Sequence, residues 1–215
     1  MELWLDTVDY ELISIASKTL NITGITTNPA ILAKSSQNVV RAITQLLDIQ
    51  NGLVAVQVIE NSNKNNMLAQ AQILSKLSDR VIIKVPVTQI GLSVIKSLST
   101  INIPTMATAI YEPCQVLLAG LAGAKYAAPY VGRINDNPLQ VVNSMQQIIN
   151  SQNLQLKLIA AAIRSVEQII SLTHLGIDAI TVSANVYQSL LQDNPQTHQS
   201  LKDFEEIWNN SECSF

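Results

Sequence analysis

Charge is scarce in this chain. Only 13% of its 215 residues are Asp, Glu, Lys or Arg, against 47% hydrophobic residues. That charged share is about half the usual value for a soluble domain. A surface so poor in charge is expected to be partly covered, which points to self-association. The formal net charge is −3 and no basic cluster occurs, so nucleic-acid binding has no electrostatic footprint. Two cysteines, Cys114 and Cys213, form no CxxC pair and no metal spacing. A disulfide framework is not expected, and a reducing compartment is the default. Two histidines, His174 and His198, are too few and too isolated for a zinc site. The opening MELWLDTVDY carries early acids and no apolar h-region, so it does not read as a signal peptide. No apolar run reaches membrane-spanning length. These absences describe a soluble, cytoplasmic protein without a metal. Proline-rich linkers, low-complexity segments and repeats are also missing, so residues 1–215 are read as one domain.

What is present is an alternation. β-rich runs occur at Glu2–Asp6, Ile22–Thr27, Leu53–Ile59, Val81–Val87, Ile103–Ile110, Tyr126–Val131, within Leu154–Ile163, and at Ala179–Ala184. Between them lie stretches with apolar residues at helical spacing, such as Leu12, Ala16 and Leu20, or Leu92, Ile95 and Leu98. Pro29, Pro113 and Pro138 stand where a first helical turn tolerates proline. The runs are nearly continuous in apolar residues, as expected of parallel strands buried on both faces. Eight strand-then-helix units predict a single-domain α/β fold, a (β/α)8 TIM barrel. A closing helix is expected near residues 200–210. An open doubly wound sheet is the weaker alternative, because no glycine-rich loop follows the first strand.

Chemistry in such a barrel sits at the C-terminal ends of the strands. Each strand brings a polar group there. Asp6 ends the first, and Thr26, Thr27 and Asn28 end the second. Gln57 is late in the third, Lys84 is in the fourth and Thr108 in the fifth. Tyr130 and Arg133 end the sixth, Arg164 follows the seventh, and Ser183 and Asn185 end the eighth. Lys84 is the odd member, a lysine inside the apolar run VIIKVPVT. Burial would disfavour its charged form, and a neutral amine can attack a ketone carbonyl. The resulting imine chemistry needs a proton relay, from a tyrosine, a carboxylate or a positioned water. Asp6 can face the iminium, Asn28 and Thr108 can add hydrogen bonds, and Arg133 and Arg164 can hold a phosphate.

Each residue also has a plainer use. Lys84 can be a strand-end lysine whose amine reaches solvent. Asp6 can cap a helix. Thr26, Thr27 and Asn28 can shape a strand and turn. Gln57 can be a paired core amide, Thr108 a β-former and Tyr130 a core aromatic. Arg133 and Arg164 can be surface charges. Ser183 and Asn185 read as caps, and the histidines as surface residues.

The stretches MELWLDT, GITTNPAI from Gly24, VIIKVPVT from Val81, IPTMATAIY from Ile103 and APYVGRI from Ala128 carry a resemblance. Over nearly the whole chain, including the closing FEEIW, the sequence resembles the transaldolase-like class I aldolases. The fructose-6-phosphate aldolase branch is the most similar. The resemblance implies a barrel with a Schiff-base lysine on strand 4, which falls on Lys84, and it implies no cofactor. It places substrate-binding roles on Asp6 and Asn28 and a water-placing role on Thr108. Phosphate-binding roles fall on Arg133 and Arg164, and Thr26 joins the substrate-binding set. Transaldolases carry glutamate on strand 3 and phenylalanine near the end of strand 6. Gln57 and Tyr130 match the aldolase branch, with Tyr130 as the acid/base group.

One departure stands out. The family's serine after strand 7 is replaced by Ala162 in AAAIRS. The implied activity is cleavage of fructose 6-phosphate to dihydroxyacetone and glyceraldehyde 3-phosphate, and the reverse addition. The alternative is a transaldolase that transfers a dihydroxyacetone unit between sugar phosphates. A non-catalytic sugar-phosphate-binding barrel is the third reading. The family also implies a homo-oligomer, pentamer or decamer, with the last helix packing on a neighbour.

Overall fold

A computed structural model of the chain describes residues 1–35 and 38–213. Eight strands close into one parallel barrel in sequence order. They are β1 (Glu2–Asp6), β2 (Gly24–Thr26), β3 (Leu53–Gln57), β4 (Val81–Pro86), β5 (Thr105–Ile110), β6 (Tyr126–Pro129), β7 (Lys157–Ala160) and β8 (Ala179–Val182). Closure comes from β1 pairing with β8, Glu2 opposite Ala179 through Leu5 opposite Val182. Ten helices are described: α1 (Tyr10–Thr19), α2 (Pro29–Lys34), α3 (Val39–Ile49), α4 (Lys64–Ser75), α5 (Gln89–Ser99), α6 (Pro113–Ala122), α7 (Pro138–Ser151), α8 (Val166–His174), α9 (Ala184–Leu190) and α10 (Pro195–Asn209).

The expected barrel is therefore present, with local differences. The stretch after Pro29 is two helices rather than one. The second, α3, has its own cap, Asn38 accepting from the Val40 N–H at 2.9 Å. It buries Ala42, Ile43, Leu46 and Leu47, an i, i+4 stripe that the sequence displays. Strands β2, β6 and β7 are shorter than their apolar runs. After β6 the chain turns at once through a one-turn 3-10 helix, Val131–Arg133. Most helix starts are fixed by polar caps, such as Asp9 on α1 and Ser165 on α8. Such a cap contributes about 1 kcal/mol.

Strand parity explains where the polar residues go. Side chains alternate across a strand. Val81, Ile83 and Val85 pack outward against the helices, and Ile82 packs inside the barrel. The interior cluster contains Trp4, Ala55, Ile82, Met106, Ala128, Ile159 and Ala179. Gly24 holds the β2 position of this layer: a Cβ there would lie 2.7 Å from the Trp4 ring and 2.5 Å from the Leu53 carbonyl oxygen. Its lack of side chain admits the indole. Two residues further along each strand stands the next interior position. These positions are Asp6, Thr26, Gln57, Lys84, Thr108, Tyr130, Ala161 and Thr181. Seven of the eight are polar, so one ring of the barrel lumen is built for hydrogen bonding.

Candidate active site

A cavity of about 510 Å³ opens above that ring. Lys84 forms part of its floor, and Asp6, Asn28, Gln57 and Tyr130 line it. Lys84 is only 4% exposed, so its amine does not escape to solvent. Nζ instead donates to the Thr27 carbonyl oxygen at 2.7 Å. Burial pushes the Lys84 amine below its ordinary range, and the nearby Asp6 carboxylate partly opposes that effect. A buried ammonium with a neutral acceptor is costly, so burial shifts the balance toward the neutral amine, whose lone pair can meet an electrophile.

Asp6 does not cap α1, since Asp9 does so by accepting from the Leu12 N–H at 3.0 Å. The Asp6 carboxylate instead accepts from the Thr26 hydroxyl at 2.7 Å. Thr26 is fully buried and lies beneath the cavity rather than on its wall. Asn28 keeps its plainer use in part: Oδ1 caps α2 by accepting from the Ile31 N–H at 3.0 Å, while the residue also lines the cavity. Gln57 is opposite Lys84 in the β3–β4 register. Its Oε1 is buried and takes no hydrogen bond from the described residues, so it is free to accept one from a substrate hydroxyl or a water.

Thr108 and Tyr130 are joined, the threonine hydroxyl donating to the phenol oxygen at 3.1 Å. A bulge aims Thr108. The β5–β6 register shifts between Thr108 and Ile110, and Ala109 sits at φ +57°. A left-handed alanine costs roughly 1–2 kcal/mol, and here it lies next to a residue of the site. The Tyr130 ring meets Tyr111 edge-on at 5.8 Å and carries the Arg133 guanidinium 5.0 Å from its centroid. Arg133 is exposed at the cavity wall.

Arg164 is exposed and does not line the cavity. Its side chain runs beside Gly132, where a Cβ would come within 3.1 Å of it and within 2.1 Å of the Ala162 carbonyl oxygen. Glycine is thus required for the β6 loop to approach β7. Ala162 lines the cavity at φ +58°. Ser183 caps α9, accepting from the Val186 N–H at 3.5 Å, and also reaches the cavity. His174 and His198 are exposed on α8 and α10.

Three participants were not singled out from the sequence. Lys34, at the end of α2, lines the cavity, as Arg133 does. The Thr27 carbonyl holds the amine, and no side-chain pattern announces a carbonyl. Thr181 of β8 contacts Thr26 at 2.7 Å. Parity counted from Ala179 would have found it.

The arrangement is a buried nucleophilic amine beside a carboxylate, facing an unpaired amide oxygen and a hydrogen-bonded phenol, with cations at the mouth. Residues 3–213 match the protein family described as Transaldolase/Fructose-6-phosphate aldolase. A Coprothermobacter proteolyticus protein named probable transaldolase is 33% identical over 211 residues, covering 97% of this chain and 96% of the relative. A Thermoplasma acidophilum protein of the same name is 32% identical over 214 residues, covering 97% and 95%. Among solved structures, a Coccidioides immitis protein named provisionally as a fructose-1,6-bisphosphate aldolase superposes with a TM-score of 0.58 at 13% identity, covering 92% of this chain and 81% of that one. A mandelate oxidase variant with an FMN adduct gives the same TM-score at 14% identity, covering 81% and 59%. Two such different chemistries on one barrel show that these superpositions speak for the fold alone.

Proposed function

The chain belongs to the transaldolase/fructose-6-phosphate aldolase family, and from that premise we propose that it is a class I aldolase acting on fructose 6-phosphate. The observation that carries the proposal is Lys84, buried inside the barrel with its amine tethered to the Thr27 carbonyl at the floor of a polar cavity.

Neutral Lys84 attacks the C2 ketone of the open-chain sugar, and loss of water, with one proton taken up from solvent, leaves a protonated imine. Asp6 faces the new positive charge. Its C2–N bond leaves nitrogen one hydrogen, which the Thr27 oxygen can continue to accept. The C4 hydroxyl proton passes through a water held by Gln57 and Thr108 to the Tyr130 oxygen, deprotonated at this step, which accepts from the Thr108 hydroxyl. The C3–C4 bond then breaks, its electron pair neutralises the iminium as an enamine, and glyceraldehyde 3-phosphate leaves. Tyr130 returns a proton to C3 through the same water. Hydrolysis of the iminium releases dihydroxyacetone and restores the amine. Arg133 is placed for the phosphate, with its ring contact fixing the guanidinium plane. Arg164, outside the cavity wall, serves the phosphate only at longer range.

Gln57 and Tyr130 favour the aldolase over the transaldolase. The transaldolase remains the second reading because the relatives at 32–33% identity carry that name. Fructose 6-phosphate supplied without any acceptor separates the two. Sustained release of dihydroxyacetone over many turnovers supports the aldolase. Release that requires an added aldose phosphate supports the transaldolase. A protein that binds the sugar yet gives no borohydride-reducible adduct is neither.

Self-association is part of the same proposal. Helix α10 buries none of its residues, and Leu201, Phe204 and Ile207 are 57%, 64% and 69% exposed on it. An apolar face of this size fits docking on a second copy. Sedimentation of the intact chain should show a species several times 23.5 kDa, and a strict monomer would refute it.

A further inference from the structure

We infer that Thr181 is a positioning residue, the first donor of a buried hydroxyl relay that orients the Asp6 carboxylate. The inference rests on the reading of Asp6 and Lys84 given above and adds a residue to it.

The hydrogens available fix the direction of this relay. Thr26 Oγ1 lies 2.7 Å from Asp6 Oδ1 and 2.7 Å from Thr181 Oγ1. A hydroxyl carries one hydrogen and can accept through its lone pairs. The ionised carboxylate can only accept, so the Thr26 hydrogen points at Asp6. At the second contact Thr26 must then accept, and Thr181 must donate. The relay therefore has one direction: Thr181 O–H to Thr26 O, and Thr26 O–H to Asp6 Oδ1.

Its surroundings make that direction count. Thr26 is 0% exposed and Thr181 3% exposed, so water does not compete for either hydroxyl. Hydrogen bonds in series polarise one another where the dielectric is low. The relay also spans three neighbouring strands. Thr26 is opposite Asp6 in the β1–β2 register, and Thr181 is opposite Trp4 in the β1–β8 register. It thus ties the end of β1 from both sides. With Oδ1 held from below, Oδ2 is left for the iminium at Lys84 or for a substrate hydroxyl. The plainer use of Thr181 is as a β-branched filler of the lumen. Valine fills that space equally well but cannot donate, so the two uses separate.

The test is Thr181→Val against Thr181→Ser, read in the full chain. The rate of borohydride-trapped imine formation with fructose 6-phosphate, kcat, KM and Tm are followed. Loss of a hydrogen bond that acts on a charged group is expected to slow trapping and kcat about tenfold. KM should change little, and Thr181→Ser should return both rates to within about twofold of the parent. The relay also requires non-additivity. Once Thr26→Val has cut the bond to Asp6, adding Thr181→Val should cost little more. If Thr181→Val is insoluble, Thr181→Cys keeps a γ-position donor, a weaker one, and should fall between parent and relay loss. Parent-like trapping in Thr181→Val, whatever its Tm, overturns the inference. So does Thr181→Ser failing as badly as valine, or fully additive losses in the double variant. A parent chain that forms no trappable imine overturns the functional reading as well, which distinguishes the two failures.

Discussion

The two ends of the barrel lumen hold their polar groups in opposite ways. At the N-terminal end, Glu2 is surrounded by donors: the Trp4 indole N–H at 3.0 Å, the Tyr126 hydroxyl at 3.1 Å and the Lys157 ammonium. The Trp4 and Tyr126 rings meet edge-on at 5.4 Å. Burial raises the Glu2 carboxyl, but its hydrogen bonds and the Lys157 charge outweigh this, so it titrates below its ordinary range. At the C-terminal end, Lys84 has one neutral acceptor among the described residues, and burial pushes its amine below the ordinary range. One end uses polar groups to close the barrel. The other leaves them incompletely paired, where a substrate can complete them. The stable end and the reactive end are about two turns of strand pleat apart, on the same strands.

Breaking that contrast at the reactive end should give the largest effects. Lys84→Met is expected to lower aldol activity by at least about 10⁴-fold, since the covalent route is lost, while raising Tm. The sign follows from linkage. The folded amine titrates below 10.5 and the unfolded one near it, so the unfolded chain binds more protons between those values. The parent's deficit therefore grows as pH falls from about 10.5 and is present in full below the folded value. Thermal melts of parent and variant should differ at pH 7 and converge toward pH 10.5. An active Lys84→Met protein would remove the basis of the account.

Tyr130→Phe deletes the proposed acid/base hydroxyl and leaves the ring against Arg133 and Tyr111. Turnover is expected to fall about 10²-fold, with the trapped imine still forming in single-turnover assays. Loss of trapping would mean that the phenol serves the amine rather than the later protons.

Glu2→Gln is the mirror experiment. Catalysis should be unchanged and the fold destabilised by about 1–2 kcal/mol, no more because the carboxylate is partly solvated, which melts would read as a lower Tm. Its folded carboxyl titrates below 4.5, so its contribution is present above that value and is lost as pH falls through the folded one. Acid melts of the parent should show this loss, and those of Glu2→Gln should lack it.

The smallest effect belongs to Ala162→Ser, which returns a hydroxyl to the cavity wall. KM for fructose 6-phosphate should fall about fivefold, worth about 1 kcal/mol, and an unphosphorylated substrate should show no change. Equal improvement for both would mean that the hydroxyl does not meet the phosphate.

The barrel was legible in the sequence because its strands are apolar runs of the right length, separated by amphipathic stretches. The boundaries of β2 and β7 were less so, since apolar residues continue past the paired backbone into turns. α3 merged with α2 in the reading because both are helical and the break between them carries no proline or glycine. Lys84 was legible by contrast with its flanks. Gln57 and Tyr130 required the family pattern as well. Thr181 was passed over for Ser183 and Asn185, which lie further along the chain and turn out to be at the start of α9. Parity along β8, rather than proximity to its end, marks the lumen position. Arg164 lies off the cavity wall, two residues after a left-handed turn at Ala162 that an alanine does not advertise.

The most direct test is to incubate the protein with fructose 6-phosphate, add borohydride, and locate any new mass by peptide mapping. The account predicts one stable adduct of the dihydroxyacetone unit or the intact sugar, carried on Lys84 and absent from Lys84→Met. An adduct on another lysine, or no adduct while sugar is being cleaved, would contradict it.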